Sequence, residues 1–404
     1  METFPDKLRQ KSIEKERITM KLTKKSSACS SDVAARKGKH VIQHSRRGEK
    51  QRPFQRICLG LLGFFLVTAL VVGAAALNAE YIIIRGPSPA LKDAFVGTLM
   101  ETRRLKFIPG IMMSEAELKP YAIKKTPPKP NPDDEKDLQG DGTDQSGEQQ
   151  TNDSKTGNEI DLTGESLFAP LDEDGDGIVL QPVKGAGFTG YAMIVLDPTR
   201  VFVGMPDEFG GEGLTLEDMC KKYGAVGGIN AGGFRDEGGR GCGGMPEGLT
   251  MIDGVCYNDA AYEVNGLAGL TEEGILHAGW YTLEDCKACG ITDAASFGPT
   301  LIENGEPACE EYLTSGINPR TAIGQTKNGE IILLVIDGRQ VQSIGASYND
   351  VVSVLLDYGC VTACNMDGGS STSMYLNGEY VNSCSAENGK ARPLPTAFLV
   401  RALE

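Results

Sequence analysis

Histidine is scarce in this chain: His40, His44 and His277 are the only three among 404 residues. His40 and His44 precede a long apolar run, so a Ser-His-Asp hydrolase would hang on His277 alone, and no GxSxG elbow accompanies it. Catalytic metal chemistry on several histidines is excluded on the same ground. A P-loop and a dinucleotide-binding fingerprint are also missing. Charge is missing altogether between Ile57 and Leu77. Aromatics are not interleaved with the basic residues that precede this run, which argues against a nucleic-acid-binding arm.

Those absences frame what is there. Residues 1–56 carry 16 Lys/Arg against 6 Asp/Glu, within a chain whose net charge is −15, so a basic tail precedes an acidic remainder. The uncharged run ICLGLLGFFLVTALVVGAAAL is long enough, at about 1.5 Å per residue, to span a bilayer core of about 30 Å. Arg46, Arg47, Lys50, Arg52 and Arg56 crowd its N-terminal side, so the positive-inside rule puts the tail in the cytoplasm and the C-terminal part outside the cell. Ala74–Ala76 would suit signal cleavage, but both the lead and the apolar run exceed signal-peptide dimensions. The expected organisation is a basic tail (1–56), a signal-anchor (57–79), a juxtamembrane helical segment (80–123), a disordered acidic, Pro- and Gly-containing linker (124–172) and an extracellular domain (173–404). Membrane lipid is the partner of residues 57–77, with anionic headgroups near the tail; no nucleic-acid partner is expected.

In the juxtamembrane part, Ser88-Pro89 reads as an N-cap with proline at the first helical position, followed by Leu91, Phe95 and Leu99 as an apolar face. Ser114 and Glu117 form a capping box. The sequence DEDGDGI (172–178) imitates half of a calcium loop but has Val183 where a bidentate Glu is required, so it reads as an acidic turn. Nine cysteines lie beyond the span, an odd number, and Cys286-x-x-Cys289 alone is a weak zinc signal; these thiols read as structural.

Beyond Gly187, β-branched runs alternate with turn chemistry. Asp253-Gly254, Asn304-Gly305, Asn328-Gly329 and Asn377-Gly378 are hairpin signals, while helices are expected near 214–223, 283–288 and 348–358. The fold class is α+β: a mixed β-sheet with a parallel β-α-β segment and several hairpins, flanked by a few helices. The parallel segment is IILLVIDGRQ, the helix capped by Ser347 and Asp350, then VTACNMDGGSS; it delivers Asp337 and Asp367 to one sheet edge, each before a glycine. A third strand, AVGGIN, places Asn230 before Gly232-Gly233. Arg320 offers a planar fork for phosphate or carboxylate. Paired carboxylates, an amide and an arginine suit acid/base chemistry on a sugar.

The ordered motifs GGINAGGF (227–234), SFGPTLI (296–302), NPRTAIG (318–324), VIDGR (335–339) and NMDGGSST (365–372) resemble the phosphodiester glycosidase domain family. That family includes enzymes that remove N-acetylglucosamine from a phosphodiester, and bacterial membrane proteins associated with exopolysaccharide. The resemblance covers roughly Gly187 to Leu403 and implies hydrolysis of a sugar-1-phosphodiester in a cell-surface glycan. It implies Asn230, Arg320, Asp337 and Asp367 as catalytic positions. Gly232, Gly233, Arg339, Gly368, Gly369, Ser370 and Ser371 are implied as substrate-binding ones. Ser370 departs from the family's usual DGGGS, which puts the substrate's identity in question. No cofactor or metal is implied, a divalent cation being left open. The competing expectation is a non-catalytic glycan-binding or envelope-assembly module.

Overall fold

The computed structural model describes residues 51–101, 105, 107–121, 160–235, 241–260, 266–308, 316–385 and 390–403. The basic tail up to residue 50 and most of the expected linker lie outside them. The chain forms two compact units, Met1–Ala74 and Ala75–Glu404. Helix α1 (Gln51–Arg85) contains one stretch, Leu61–Arg85, long and apolar enough to cross a membrane. At about 1.5 Å per residue that stretch measures about 37 Å.

Two helices follow, α2 (Pro89–Glu101) and α3 (Glu115–Leu118). The Ser88 hydroxyl accepts the Leu91 N–H at 3.3 Å, and Ser114 and Glu117 close the expected capping box. The buried face of α2 differs from the periodicity reading. Leu91 is 52% exposed, whereas Val96 is fully buried against Ile84 and Met113. Phe95, also on the expected face, packs against the same cluster, and the other contact of the helix is made through Gly97 and Thr98, against whose backbone Gly316 packs directly.

Residues 160–172, expected at the end of the linker, instead pack on the domain. The Asp161 N–H reaches the Lys327 carbonyl at 2.8 Å, and the Phe168 ring lies 6.0 Å from that of Tyr358. One large aromatic in a polar stretch is sufficient anchor when a greasy edge is available.

The strands begin with β1 (Ile178–Gly185), β2 (Phe188–Val195), β3 (Val201–Gly204), β4 (Ala225–Asn230), β5 (Thr250–Ile252) and β6 (Val255–Asn258). Then come β7 (Leu267–Thr271), β8 (Leu276–Gly279), β9 (Ile291–Ser296), β10 (Thr300–Glu303), β11 (Glu306–Pro307) and β12 (Arg320–Thr326). The last are β13 (Ile331–Ile336), β14 (Cys360–Met366), β15 (Met374–Leu376), β16 (Glu379–Tyr380) and β17 (Ala397–Arg401). Three helices interrupt them: α4 (Leu216–Tyr223), α5 (Leu283–Ala288) and α6 (Tyr348–Asp357), each N-capped by a Thr or Ser hydroxyl.

These strands make three sheets, ordered β1-β2-β13-β12-β14-β10-β11, β16-β15-β4-β17-β3 and β6-β5-β9-β7-β8. Every pairing among the described residues is antiparallel, so the expected parallel β-α-β pair is corrected. Helix α6 does cross over between β13 and β14, but β12 lies between them and pairs antiparallel with both. Two strands antiparallel to the same neighbour run in the same direction. The delivery of both strand ends to one edge therefore survives the correction.

The wholly apolar run of β13 follows from this position. Ile331, Leu333 and Val335 point into a core shared by all three sheets, with Ile229, Ala268 and Phe398, while Ile332, Leu334 and Ile336 pack with Val351 and Leu355 of α6. Both faces are dry, so the strand shows no alternation. Each such side chain contributes roughly 1.5 to 3 kcal/mol by burial, and Leu333→Ala would remove about 2 to 5 kcal/mol of stability.

Candidate active site

The edge where β13 and β14 end is built by register. Arg320 pairs with Ile336 and Thr321 with Met366, so the following residues, Asp337 and Asp367, leave the sheet together, on either side of β12. Two strand spacings separate their backbones, about 10 Å. The turns after them are tight because both wrap Pro319. A Cβ on Gly338 would lie 2.7 Å from the Pro319 nitrogen, and one on Gly368 would lie 2.6 Å from its carbonyl oxygen. Only glycine permits these approaches.

Asp337 is 7% exposed. Its Oδ1 accepts the Asn382 amide at 3.0 Å and the Ser383 N–H at 3.1 Å. Burial pushes its carboxyl above the ordinary carboxylate range, and these two hydrogen bonds pull it back only in part. Asp367 is only half-buried. Its backbone is pinned at both ends, its N–H to the Ala231 carbonyl at 3.0 Å and its own carbonyl by the Asn230 amide at 2.6 Å.

Asn230 is 1% exposed, and besides the bond from its amide to Asp367 its Oδ1 accepts the Thr321 hydroxyl at 2.9 Å and the Ser373 N–H at 3.1 Å. It ties β4, β12 and the turn after β14 together. The Gly232 N–H donates to the Thr396 hydroxyl and the Gly233 N–H to the Ser296 carbonyl, so both serve the packing of β4 against its neighbours.

The two arginines sit in different environments: Arg320 is buried within the fold, whereas Arg339, expected as a substrate-binding position, lines a cleft. Arg320 is 4% exposed. Its guanidinium lies 4.2 Å over the Tyr348 ring, donates to the Ala346 and Gly316 carbonyls, and forms an ion pair with Glu101 at 3.0 Å. Arg339 faces a cleft of about 840 Å³ whose walls also carry Gln340, Asn382, Ser383, Ser385 and Lys390. Its Nη2 donates to Asn318 Oδ1 at 3.1 Å and its Nη1 reaches the Ser370 hydroxyl at 3.4 Å. Although Arg339 is exposed as a whole, crowding of its guanidinium by the surrounding protein, followed by the charge of Arg320, lowers its pKa; Glu101 and Asp367 act in the opposite direction.

The turn beneath Arg339 is Gly368-Gly369-Ser370-Ser371. Gly369 has φ +60°, its N–H reaches the Pro319 carbonyl at 2.9 Å, and its carbonyl accepts the Ser385 hydroxyl at 2.9 Å. Ser371 is 2% exposed and its hydroxyl has no hydrogen-bond partner among the described residues. Ser370, the departure from the family pattern, is the residue that meets Arg339.

Asn382, Ser383, Ser385 and Lys390 went unread in the sequence. They follow the Asn377-Gly378 hairpin in a stretch with neither helical nor strand period, and no spacing there marks a partner for Asp337. Away from the cleft, the carboxylates of Asp172, Asp174 and Asp176 lie within 4.8 Å of one another. The N–H groups of Gly175, Gly177 and Ile178 donate to Asp172 and Asp176, as an acidic turn requires. Eight described thiols, Cys364 and Cys384 among them, are unbridged.

Comparison with known proteins agrees with the five motifs. Residues 223–401 match the family model described as phosphodiester glycosidase. The chain is 29% identical over 202 residues to the SPbeta prophage-derived uncharacterized protein YomE of Bacillus subtilis (strain 168), which covers 47% of this chain and 29% of that protein. It is 28% identical over 214 residues to N-acetylglucosamine-1-phosphodiester alpha-N-acetylglucosaminidase of Bos taurus, covering 47% of this chain and 39% of the relative. The chain thus spans less than half the length of these curated relatives. Among solved structures, the catalytic domain of the zebrafish enzyme of that name aligns with a TM-score of 0.48 at 23% identity, over 56% of this chain and 82% of that one. The resemblance to the phosphodiester glycosidase domain stands, and α1, α2 and α3 lie outside the family match.

Proposed function

We propose that this chain is a membrane-anchored hydrolase that cleaves a sugar-1-phosphodiester at the cell surface, in a polysaccharide or related glycan. The observation that carries the reading is the common edge of β13 and β14, from which buried Asp337 and half-buried Asp367 leave the sheet on either side of β12. Arg339 lines the neighbouring cleft, whose walls include Asn382 and Ser383, the partners of Asp337, but neither aspartate itself. The family match over residues 223–401 supports the same chemistry. The apolar length of Leu61–Arg85 supports the anchor, and the basic residues before it support a cytoplasmic tail.

The roles follow from environment. Arg339 holds the phosphate, since Arg320 is already committed to Glu101 and two carbonyls. Asp337, kept protonated toward higher pH by burial, hands its proton to the phosphate oxygen as the bond from that oxygen to the sugar's C1 breaks. Asp367 supports the positive charge that develops on the sugar, or attacks C1 to form an ester that water then opens. Either route consumes one water and yields a free sugar and a phosphomonoester. Asn230 fixes the Asp367 turn and does not touch substrate.

The test is to incubate the purified full chain in detergent with a panel of sugar-1-phosphodiesters, N-acetylglucosamine diesters first, and to measure released sugar and phosphomonoester. Release that disappears in Asp367→Asn is expected. Saturable glycan binding without release from any diester would favour the non-catalytic module.

A further inference from the structure

Helix α2 ends on Glu101, and this carboxylate enters the domain at the start of β12. Its Oε1 accepts the Gly316 N–H at 2.7 Å; its Oε2 accepts the Asn318 side-chain amide at 2.7 Å and the Arg320 guanidinium at 3.0 Å. One turn earlier, the Thr98 hydroxyl accepts the Ile317 N–H at 2.8 Å. The fit is flush, since a Cβ on Gly316 would lie 2.0 Å from the Thr98 nitrogen. Residues 316–320 are therefore laid along the last turn of α2. The family match begins at residue 223 and does not include this helix.

What Glu101 sets goes beyond its own contacts. A carboxylate only accepts hydrogen bonds and a guanidinium only donates them, so the Asn318 amide between Glu101 and Arg339 has one compatible orientation. Its NH2 faces Glu101 and its oxygen faces Arg339. That oxygen and the Ser370 hydroxyl are the two groups that hold the Arg339 guanidinium over the glycine turn. Without the carboxylate, the Asn318 NH2 loses the charged acceptor that fixes its end of the relay, and the guanidinium alone is left to hold the amide oxygen in place. Charge acts in the same sense: Arg320 disfavours the neighbouring Arg339 cation and Glu101 favours it.

We propose that Glu101 is a positioning residue of the cleft: acting through Asn318, it aims Arg339 at the substrate's phosphate, which makes the juxtamembrane helix a working part of the site. The proposal rests on the reading of Arg339 as the phosphate-binding group. A helix that merely stapled the domain to its anchor would contribute stability and leave substrate affinity alone.

The experiment compares Glu101→Gln, Arg339→Ala and the double variant in the full-length protein in detergent. In the wild-type background Glu101→Gln should raise KM by about tenfold, the scale of one charge-assisted hydrogen bond, with kcat unchanged within about twofold. In the Arg339→Ala background the same change should alter kcat/KM by less than about twofold, because the group it positions is gone. Equal effects in the two backgrounds, or no effect on KM, would overturn the proposal. A crystal structure of Glu101→Gln gives a second reading that does not depend on activity. Arg339 displaced from Asn318 and Ser370 is expected, even if the wild type cleaves no diester and the hydrolase reading falls. Arg339 unmoved, in a protein that does cleave, would refute the positioning role and leave the hydrolase reading intact.

Discussion

At the end of β13 an Asp-Gly pair is closed over by the stretch that follows the Asn377-Gly378 hairpin; at the end of β14 a second Asp-Gly pair stays half open to solvent. Asp337 is 7% exposed and receives hydrogen bonds from Asn382 and Ser383, whereas Asp367 is anchored by its backbone through Asn230 and Ala231. The same dipeptide at the same edge thus becomes two chemical environments. The difference lies in what the rest of the chain brings to each end, and the roles proposed for Asp337 and Asp367 rest on it.

The most severe way to break this comparison is to neutralise each end in turn. Asp337→Asn and Asp367→Asn should each lower kcat by about 10²- to 10⁴-fold in steady-state diester cleavage, while circular dichroism shows a folded protein. Either variant retaining full turnover would remove that residue from the mechanism. The second test contrasts two arginines that flank the same edge. Arg320→Lys keeps the charge but loses the planar fork and its bonds to the Ala346 and Gly316 carbonyls, and urea unfolding should show a loss of about 1.5 to 3 kcal/mol. Arg339→Lys should leave unfolding within about 0.5 kcal/mol. It should lower kcat/KM by about one to two decades, the value of a charge-assisted hydrogen bond to phosphate. Interchanged results would return the phosphate role to Arg320.

How much of this could be read in advance depends on how local each signal is. The capping boxes at Ser114 and Ser347 are written within four residues, and both are present. Asp253-Gly254, Asn304-Gly305 and Asn377-Gly378 adopt the positive φ angles of their turn type at both positions; at Asn328-Gly329 only the glycine does. Strand pairing is not local. The apolar runs of β13 and β14 joined by α6 suggest parallel neighbours, and nothing in them announces that β12 inserts between. The edge was legible because strand direction survives that insertion. The partners of Asp337, and the arrival of Glu101 from a helix more than two hundred residues before Arg320, were not, since both depend on long-range packing of segments without a motif.

The smallest predicted effect is one of pH, and it reads the β13 end directly. Burial raises the Asp337 carboxyl above its ordinary value near about 3.9. Between that value and the raised one, the folded protein holds a proton that the unfolded chain has released. Stability must then fall as pH rises through this window, because the slope follows the difference in bound protons between the two states. Below the window the carboxyl is neutral in both states and costs nothing; above it, the cost of a buried charge is present in full, at about 1.4 kcal/mol for each tenfold weakening of the acid. Asn carries no such cost. Urea unfolding across the acid range should therefore show Asp337→Asn gaining on the wild type as pH rises through the window, then holding a constant offset. A difference that does not change with pH would mean that Asp337 titrates as in water. A difference of the opposite slope would mean that its hydrogen bonds from Asn382 and Ser383 outweigh burial, and the carboxyl would then be a poor proton donor to the leaving phosphate.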